Sequence, residues 1–444
     1  MLKKIGTLRR KRSSEIPSSH VSIGFECVDR QLIRPEMCYD PIGESGIKWA
    51  RVQTGWARTE QEKGAYDFGW LDDMVDQLLA RGVEPWFNVG FGNPLYMRDI
   101  TNPTAVGCVP LFYGEETLHA WKNFIRALGC HFRGRVRYYE IWNEANNAGF
   151  WYPEKPDGAK LAELVSLTGK IIREEVPGAK IGTCTDGGAR EEYIQALFGA
   201  LKPGELDFYC VHNYDRYPEH GPHAGHFRQA KEALRKAGHT QTALWMGEGG
   251  HASWHPLNHW EVREGGGSEH RQAVWQLRRF LLDLDEGTEL SSFFQIADMR
   301  ERVYETSTRA EKLPAAQGIL NGKVYTPKKS YETISRLSVL LSGDIARTDA
   351  VTRVETESAE EVYTVSYLRE GRPCFAYWQV IPLEEERPVR DTCRVVFSDD
   401  PASSRVLIDP LDGDVYEIAP GDALPLGEVP LIVCDRDQYE IDLL

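Results

Sequence analysis

Short apolar segments alternate with amphipathic helical segments along most of the chain, up to about residue 343. In one helical segment the apolar residues recur every three or four positions from Leu71 to Leu79, and Gly82 ends the pattern. Eight of the short segments have the length and composition of strands: Val21–Cys27, Lys48–Gln53, Glu84–Val89, Val136–Trp142, Lys180–Cys184, Leu206–Val211, Ala243–Met246 and Ser291–Gln295. Eight strand–helix units predict an α/β fold, a (β/α)8 TIM barrel rather than an open sheet.

The pattern changes after about Ser342, where strand-like segments follow one another without a long helical pattern between them. Val362–Leu368 and Cys374–Val380 flank a turn at residues 369–372 and predict a hairpin. We therefore predict three parts of the chain: a basic, solvated N-terminal arm at residues 1–19, the (β/α)8 barrel at residues 20–343, and a small antiparallel β-sandwich domain at residues 344–444.

The charge and cysteine content limit the partners and the compartment. The chain carries 67 acidic against 52 basic side chains, and this balance argues against nucleic acid as a partner because phosphate binding needs a net basic face. No apolar run approaches the roughly 20 residues that cross a bilayer, and the N-terminus lacks the apolar stretch of a secretory signal. Nine cysteines without CxxC pairs favour a reducing compartment. We expect a cytoplasmic protein without a membrane partner; the sequence leaves open whether it forms a homo-oligomer.

Polar and aromatic residues are dense where the predicted strands end, which is where βα barrels build their active sites. The tryptophans among them follow strand ends and are expected to line the mouth of the barrel. The predicted site residues are Arg51, Trp56, Asn88, Asn93, Asn143, Glu144, Trp151, His212, Tyr214, Glu248, Trp254, Trp260 and Gln295.

Glu144 and Glu248 stand out because each ends an apolar strand, where burial of a charge is costly without a purpose. A pair of carboxyl groups across a barrel suits glycoside hydrolysis, in which one protonates the leaving oxygen and the other attacks the anomeric carbon. The fourth and seventh strands lie across a narrow barrel, which favours the short separation that gives retention of configuration. An ionised Glu248 would raise the pKa of Glu144 and keep it protonated until the leaving group takes the proton.

The motifs around these glutamates resemble clan A of the glycoside hydrolases. They are Trp142-Asn143-Glu144 after a strand, a His-x-Tyr motif at residues 212–214, and a second glutamate on the seventh strand. The GIKWARVQ segment at residues 46–53, Tyr66-Asp67-Phe68 before a helix, and the trailing β-sandwich are similar to glycoside hydrolase family 39, which contains β-xylosidases and α-L-iduronidases. The resemblance covers nearly the whole chain.

The resemblance implies a role for each matching residue. Glu144 would be the acid/base, Glu248 the nucleophile, and Asn143 a contact to the sugar 2-hydroxyl. Arg51 and Tyr214 would each donate a hydrogen bond that keeps Glu248 ionised and oriented. His212 would be a further contact in the catalytic subsite. We expect a carbohydrate substrate and no metal or other cofactor.

The chain departs from the clan at the end of the eighth strand. Many clan members carry a tryptophan there as a platform for the sugar, whereas this chain has Phe293-Phe294-Gln295-Ile296. The platform would then come from Trp254, Trp260 or the long loop after Gln295, and the identity of the sugar stays open.

Two other functions compete with that of a glycosidase. A carbohydrate-binding barrel without turnover is disfavoured because both glutamates are present. Two histidine-rich loops, at residues 220–226 and 251–259, suggest a metal-dependent hydrolase, but Pro256 disfavours the helix that a metal-binding i, i+4 histidine pair requires. We therefore expect a retaining exo-glycosidase. The expected activity is that of a β-xylosidase, and β-galactosidase, β-glucosidase and α-L-arabinofuranosidase activities are the alternatives.

Overall fold

Eight parallel strands close into a barrel in the computed structural model, which describes residues 2–98, 100, 103–254, 267–299, 316–348, 353–383, 389, 391–397 and 404–444. A first strand, β1 (Lys3–Leu8), precedes the barrel. The barrel strands are β2 (Val21–Gly24), β3 (Trp49–Gln53), β4 (Glu84–Val89), β5 (Tyr138–Ile141), β6 (Lys180–Asp186), β7 (Phe208–His212), β8 (Ala243–Gly249) and β9 (Leu290–Phe293). Each pairs with the next and β9 pairs with β2, so the predicted barrel and its eight strands are confirmed.

Helices pack against the outer faces of these strands in one large apolar core. They are α1 (Tyr39–Glu44), α2 (Trp56–Thr59), α3 (Gly69–Ala80), α4 (Glu115–Phe132), α5 (Gly158–Glu175), α6 (Glu191–Ala200), α7 (His226–Lys236), α8 (Glu269–Glu286) and α9 (Lys329–Leu340). The hydroxyl of Ser268 caps α8 by accepting a hydrogen bond from the N–H of Arg271. None of the helices in the described part of the chain combines the length and the apolarity of a membrane span.

The inside of the barrel is layered. Its N-terminal part is filled by a separate apolar cluster whose buried members are Trp86, Cys184, Phe208, Cys210, Trp245 and Leu290. The guanidinium of Arg51 lies over the ring of Trp86, 5.6 Å from its centre, and so begins a charged layer above the apolar one. Because the apolar cluster closes the barrel from below, this charged layer faces the C-terminal mouth.

The rest of the chain forms two antiparallel sheets. Their strands are β10 (Ile345–Arg347), β11 (Arg353–Thr356), β12 (Val362–Arg369), β13 (Arg372–Gln379), β14 (Asp391–Val396), β15 (Arg405–Ile408), β16 (Asp414–Ile418), β17 (Leu424–Leu426), β18 (Leu431–Asp435) and β19 (Ile441–Leu443). The larger sheet has the order β10-β12-β13-β18-β15-β16-β1-β19, and the smaller has the order β11-β14-β17. Side chains from both sheets, including Phe375, Leu407 and Leu426, share an apolar cluster. The predicted hairpin of β12 and β13 is confirmed.

The N-terminal segment differs from the prediction of a solvated arm. β1 lies between β16 and β19 and pairs antiparallel with both. The basic residues after it are also engaged, since Arg9 forms ion pairs with Glu440 and Asp442, and Arg10 pairs with Glu332. No local pattern signals β1, because its partner strands come from the far end of the chain. The boundaries predicted between the parts of the chain stay predictions.

Gly6 in β1 is expected to tolerate no side chain. A β-carbon at this position would overlap the backbone carbonyl of Asp442 in β19. Gly6→Val should therefore lower the free energy of unfolding by about 1–3 kcal/mol, the usual cost of overpacking, as measured by urea denaturation. Lys3→Ala is the control and should change it little, because the ion pair of Lys3 with Glu417 is exposed. Equal effects of the two substitutions would contradict the docking of β1.

The antiparallel domain supports the loop that follows β7. The indole N–H of Trp378 in β13 donates to Oε1 of Glu219 in that loop at 2.7 Å. Arg278 in α8 is buried against the domain, where its side chain donates to the backbone carbonyls of Gln379, Ile381 and Glu428. Since the loop after β7 also carries Tyr214, the domain supports a segment of the barrel mouth.

Candidate active site

A buried arginine organises the mouth of the barrel. Arg51 lies in β3, and its Nε and Nη2 donate to the two oxygens of Glu140 at 2.8 and 2.9 Å. Nη1 donates to Oε2 of Glu248 at 2.6 Å and to Oε2 of Glu26 at 2.9 Å. Nη2 also donates to Oδ1 of Asn143 at 2.8 Å. One guanidinium therefore holds three carboxyl groups, and the predicted contact between Arg51 and Glu248 is present.

Glu248 lies near the end of β8, at a bulge. The pairing of β7 with β8 skips one residue there, Gly247. A β-carbon at Gly247 would come 2.7 Å from Cβ of Cys210, so glycine permits the close approach at the bulge. Beyond it, Glu248 accepts hydrogen bonds from Arg51 on one oxygen and from the hydroxyl of Tyr214 on the other. Donors on both oxygens hold the carboxyl group in one orientation, as a nucleophile requires.

Glu144 follows β5 in a left-handed backbone conformation, with a φ of 41°. Its N–H donates to Sγ of Cys184 at 3.2 Å. Just before it, the side-chain amide of Asn88 donates to the carbonyl of Trp142 at 2.7 Å. Few residues other than glycine adopt this region, and a side chain held there against its preference is typical of functional sites.

The environment of Glu144 suits a general acid. Burial raises the pKa of Glu144, and the negative charge of Glu248 raises it as well, while His212 acts in the opposite direction without reversing the shift. Glu144 therefore keeps its proton at pH values where an ordinary glutamate has lost it.

His212 ends β7 between the two glutamates. Its Nδ1 lies 3.0 Å from Oε1 of Glu144 and 3.6 Å from Oε2 of Glu248. Burial lowers the pKa of His212, but Cys184, Glu248 and Glu140 raise it more, so that it lies well above the ordinary value. A protonated His212 adds a second cation to that of Arg51.

The two candidate catalytic carboxyl groups are close together. A carboxyl oxygen of Glu144 and one of Glu248 lie within 4.8 Å of each other and of a ring nitrogen of His212. Retaining glycosidases place their two carboxyl groups about 5 to 5.5 Å apart, whereas inverting ones need about 6.5 to 9.5 Å to admit a water molecule. The separation fits direct attack by one carboxylate on the sugar.

Six of the predicted residues meet in this site: Arg51, Asn143, Glu144, His212, Tyr214 and Glu248. Asn88 joins them through the backbone of Trp142. Gln295 is fully buried, and its β-carbon lies 3.5 Å from where a β-carbon of Gly24 would stand. Trp254 is partly exposed near Ala252 and Ala316, and Trp260 lies outside the described residues.

The structure corrects the prediction for three residues. Trp56 does not line the mouth, because it is fully buried and its ring packs on Tyr96, Trp121 and Phe124. Asn93 holds the loop around it by donating to the carbonyls of Trp56 and Glu60. Trp151 is buried behind Trp142, with ring centroids 6.4 Å apart. All three follow strand ends in the sequence, but their side chains turn into the protein.

Sequence analysis missed four residues of the site. Glu140 lies within β5, and although burial raises its pKa, Arg51 and His212 lower it to about 2. The other three are Glu26, Cys184 and Phe294. The ring centre of Phe294 lies 6.2 Å from that of Tyr214. Phe294 stands at the end of the eighth barrel strand, where many clan members carry a tryptophan. The available signal was the two-residue period of a strand, which points Glu140 to the same side as Tyr138, a neighbour of the apolar cluster inside the barrel.

Groups of metal-ligand type coincide with this site. Among the described residues, two such groups occur: Glu140–Cys184–His212 and Glu144–His212–Glu248. Each includes a carboxylate that is bonded to Arg51, and the positive charge of Arg51 disfavours the binding of a metal cation there. In the first histidine-rich loop His223 pairs with Asp215, and His220 pairs with Glu361. His255 and His259 of the second loop lie outside the described residues.

Comparisons with known proteins agree with this geometry. The sequence model of the family described as Glycosyl hydrolases family 39 matches residues 31–242. A β-xylosidase from Geobacillus stearothermophilus is 24% identical over 173 residues, which cover 36% of this chain and 32% of that protein. An aryl-phospho-β-D-glucosidase from Bacillus subtilis is 27% identical over 113 residues, which cover 24% of this chain and 22% of that protein. The chain thus matches about a third or less of the length of these curated relatives.

Solved structures extend the similarity to both parts of the fold. A family 39 β-xylosidase from Caulobacter crescentus has a TM-score of 0.60 at 16% identity, with 96% of this chain and 98% of that chain covered. A family 39 enzyme from Xanthomonas axonopodis pv. citri has a TM-score of 0.59 at 16% identity, with 94% and 93% covered. The family match confirms the predicted resemblance and includes Arg51, Glu144 and His212, but it ends before Glu248. The role of Glu248 therefore rests on the geometry of the site.

Proposed function

Because the chain belongs to glycoside hydrolase family 39, we propose that it is a retaining, exo-acting glycosidase that removes a terminal β-xylose from short oligosaccharides or glycosides. The observation that carries this proposal is the separation of at most 4.8 Å between a carboxyl oxygen of Glu144 and one of Glu248, with Arg51 and Tyr214 bonded to the latter. That distance suits double displacement through a covalent intermediate.

In the first step, Glu144 donates its proton to the glycosidic oxygen while Glu248 attacks the anomeric carbon. The leaving group departs as an alcohol, and an ester bond joins the sugar to Glu248. Arg51 and Tyr214 orient the attacking carboxylate, and Asn143, whose side-chain oxygen is held by Arg51, presents its amide N–H₂ to the sugar 2-hydroxyl.

In the second step, water replaces the leaving group. Esterification removes the negative charge of Glu248, so the repulsion that raised the pKa of Glu144 is lost. Glu144, ionised by its earlier proton donation, accepts a proton from the water as the water attacks the anomeric carbon. The ester bond breaks, Glu248 regains its charge, and the sugar leaves with its original configuration.

The choice of β-xylose is supported by the names of the β-xylosidases from Geobacillus stearothermophilus and Caulobacter crescentus. The sugars named as alternatives from the sequence, β-galactose, β-glucose and α-L-arabinofuranose, remain the competing substrates. A cytoplasmic location is part of the proposal and is supported by nine cysteines that are all unpaired, as thiols are in a reducing compartment.

Proton NMR during hydrolysis of nitrophenyl β-D-xyloside tests the proposal. We expect β-xylose to appear first and α-xylose only later, by mutarotation, and kcat/KM to be higher for the xyloside than for the galactoside, glucoside and arabinofuranoside. Early α-xylose would contradict retention. Binding of xylosides without turnover would favour the carbohydrate-binding alternative, and loss of activity with a chelator would favour the metal-dependent one.

A further inference from the structure

A third carboxyl group shares the arginine of the nucleophile. Glu26 follows β2, and its side chain is 1% exposed. Its Oε2 accepts a hydrogen bond from Nη1 of Arg51 at 2.9 Å, and the same Nη1 donates to Oε2 of Glu248 at 2.6 Å. The two N–H groups of Nη1 therefore serve one carboxyl oxygen each, and Glu26 shares the positive charge of Arg51 with Glu248.

A second donor defines which oxygen of Glu26 is the acceptor. Oε1 of Gln53 accepts from the N–H of Cys27 at 3.0 Å and from Nη2 of Arg30, so the amide N–H₂ of Gln53 faces Glu26. That amide donates to Oε2 of Glu26 at 3.1 Å. Oε2 is thus engaged twice, as an acceptor only.

The other oxygen of Glu26 is placed to carry a proton. Oε1 lies beside Gly24, 2.7 Å from where a β-carbon of that residue would stand, and has no hydrogen-bond partner in the part of the chain that the structure describes. An ionised carboxylate with one unsolvated oxygen is costly, and a proton on Oε1 lowers that cost by neutralising the charge while Oε2 keeps its two donors.

The surrounding charges act on Glu26 in both directions. Burial raises its pKa most, and the neighbouring Glu248 raises it further, whereas Arg51 and His212 lower it, with a resulting pKa of about 8. Asp29 and Arg30, which follow in the chain, form an ion pair with each other. Glu140 contrasts with Glu26, since Arg51 bonds to both of its oxygens and its pKa is about 2.

We propose that Glu26 is a positioning residue for Glu248 that acts through Arg51: when protonated on Oε1 it leaves the positive charge of Arg51 to the carboxylates of Glu248 and Glu140, and when ionised it takes a share of that charge. The inference rests on the proposed function, in which Glu248 is the nucleophile. Glu26 loses its proton as the pH rises through about 8, so the hold of Arg51 on Glu248 weakens with rising pH.

Glu26→Gln tests this role because glutamine has the shape of the protonated acid, with an acceptor for Oε2 and a donor in place of the Oε1 proton. The measurement is kcat/KM for dinitrophenyl β-D-xyloside at about pH 6.5 and about pH 9.5. This leaving group needs no proton, so titration of Glu144 does not enter. We expect the ratio of the variant to the wild type to rise several-fold between the two pH values, and by at most about tenfold, because the hydrogen bond from Arg51 to Glu248 is weakened and not lost.

Glu140→Gln is the matched control. It makes the same substitution at another carboxylate on Arg51, but Glu140 is ionised at both pH values, so its ratio to the wild type should be the same at both. A purely structural role of Glu26 would likewise give a ratio that does not change with pH. That result for Glu26→Gln would overturn the proposal.

Thermal unfolding gives a readout that needs no substrate. The pKa of Glu26 is higher in the folded protein than in an unfolded chain, so the folded state holds the proton more tightly and loses relative stability as the pH rises from about 4.5 to about 8. The Tm of Glu26→Gln minus that of the wild type should increase over this window. A difference independent of pH would contradict the proposed protonation of Glu26, whereas a wild type without glycosidase activity would instead contradict the proposed function.

Discussion

Glu248→Ala is expected to lower kcat for an aryl β-xyloside by on the order of 10⁵-fold, as removal of a catalytic nucleophile does. Alanine leaves no atom to form the ester, although Glu144, Arg51 and Tyr214 remain in place to bind the sugar and protonate the leaving group. Added azide should fit the space of the lost carboxylate and attack the anomeric carbon in a single displacement. The product would be an azide of inverted configuration, which NMR identifies.

Glu144→Ala provides the contrast. This variant should still form the ester with substrates whose leaving groups need no proton, and azide should then attack the ester to give an azide of retained configuration. Hydrolysis unaffected by Glu248→Ala would refute the assignment of the nucleophile. An exchange of the two azide products between the variants would show that the roles are reversed.

Arg51→Met is expected to cause the largest loss of stability. The substitution leaves Glu26, Glu140 and Glu248 together in a buried layer without the guanidinium that bonds to all three. Removing one partner of a buried ion pair costs about 3–5 kcal/mol, and we expect a loss of at least this size in the free energy of unfolding at neutral pH, measured by urea denaturation. Activity should fall as well, because Glu248 loses the donor that orients it.

A double variant and a surface control separate charge from packing. Arg51→Met combined with Glu140→Gln should recover part of the lost stability, because one fewer carboxylate is left uncompensated. Arg235→Met, which removes an exposed ion pair with Glu232 in α7, should change stability little. If Arg51→Met were no more destabilising than Arg235→Met, the three carboxyl groups would not depend on Arg51.

The barrel could be predicted because each of its strands is an apolar run with local boundaries. β4 spans the predicted residues from Glu84 to Val89, and its pattern needs no information from elsewhere in the chain. β8 extends past the predicted Met246 to Gly249, because the bulge at Gly247 interrupts the apolar run. β1 contains two lysines and a glycine among six residues and becomes a strand only through pairing with distant segments, which a sequence window does not contain.

Site residues could be predicted from the sequence where they lie at the end of a barrel strand. Glu144 and Glu248 were found in this way, whereas Glu26 and Glu140 were not, because an acidic residue beside an apolar strand has the same appearance whether it faces solvent or a buried arginine. Trp56 shows the converse error. Its position just after β3 predicts that it lines the barrel mouth, but its ring packs against those of Tyr96 and Phe124. This packing depends on where α4 lies, which the local sequence does not show.

The position of β1 also sets an order of events during synthesis. The ribosome makes Lys3–Leu8 before the whole barrel, yet the strands on either side of β1 are β16 and β19, which come last. At about 5–20 residues per second, β1 waits roughly 20–80 s for its partners. During that time its unpaired edges and the incomplete larger sheet are open to association with other nascent chains. Dependence of the folding yield on chaperones should therefore be greater during synthesis than during refolding from urea, where β16 and β19 are present from the start.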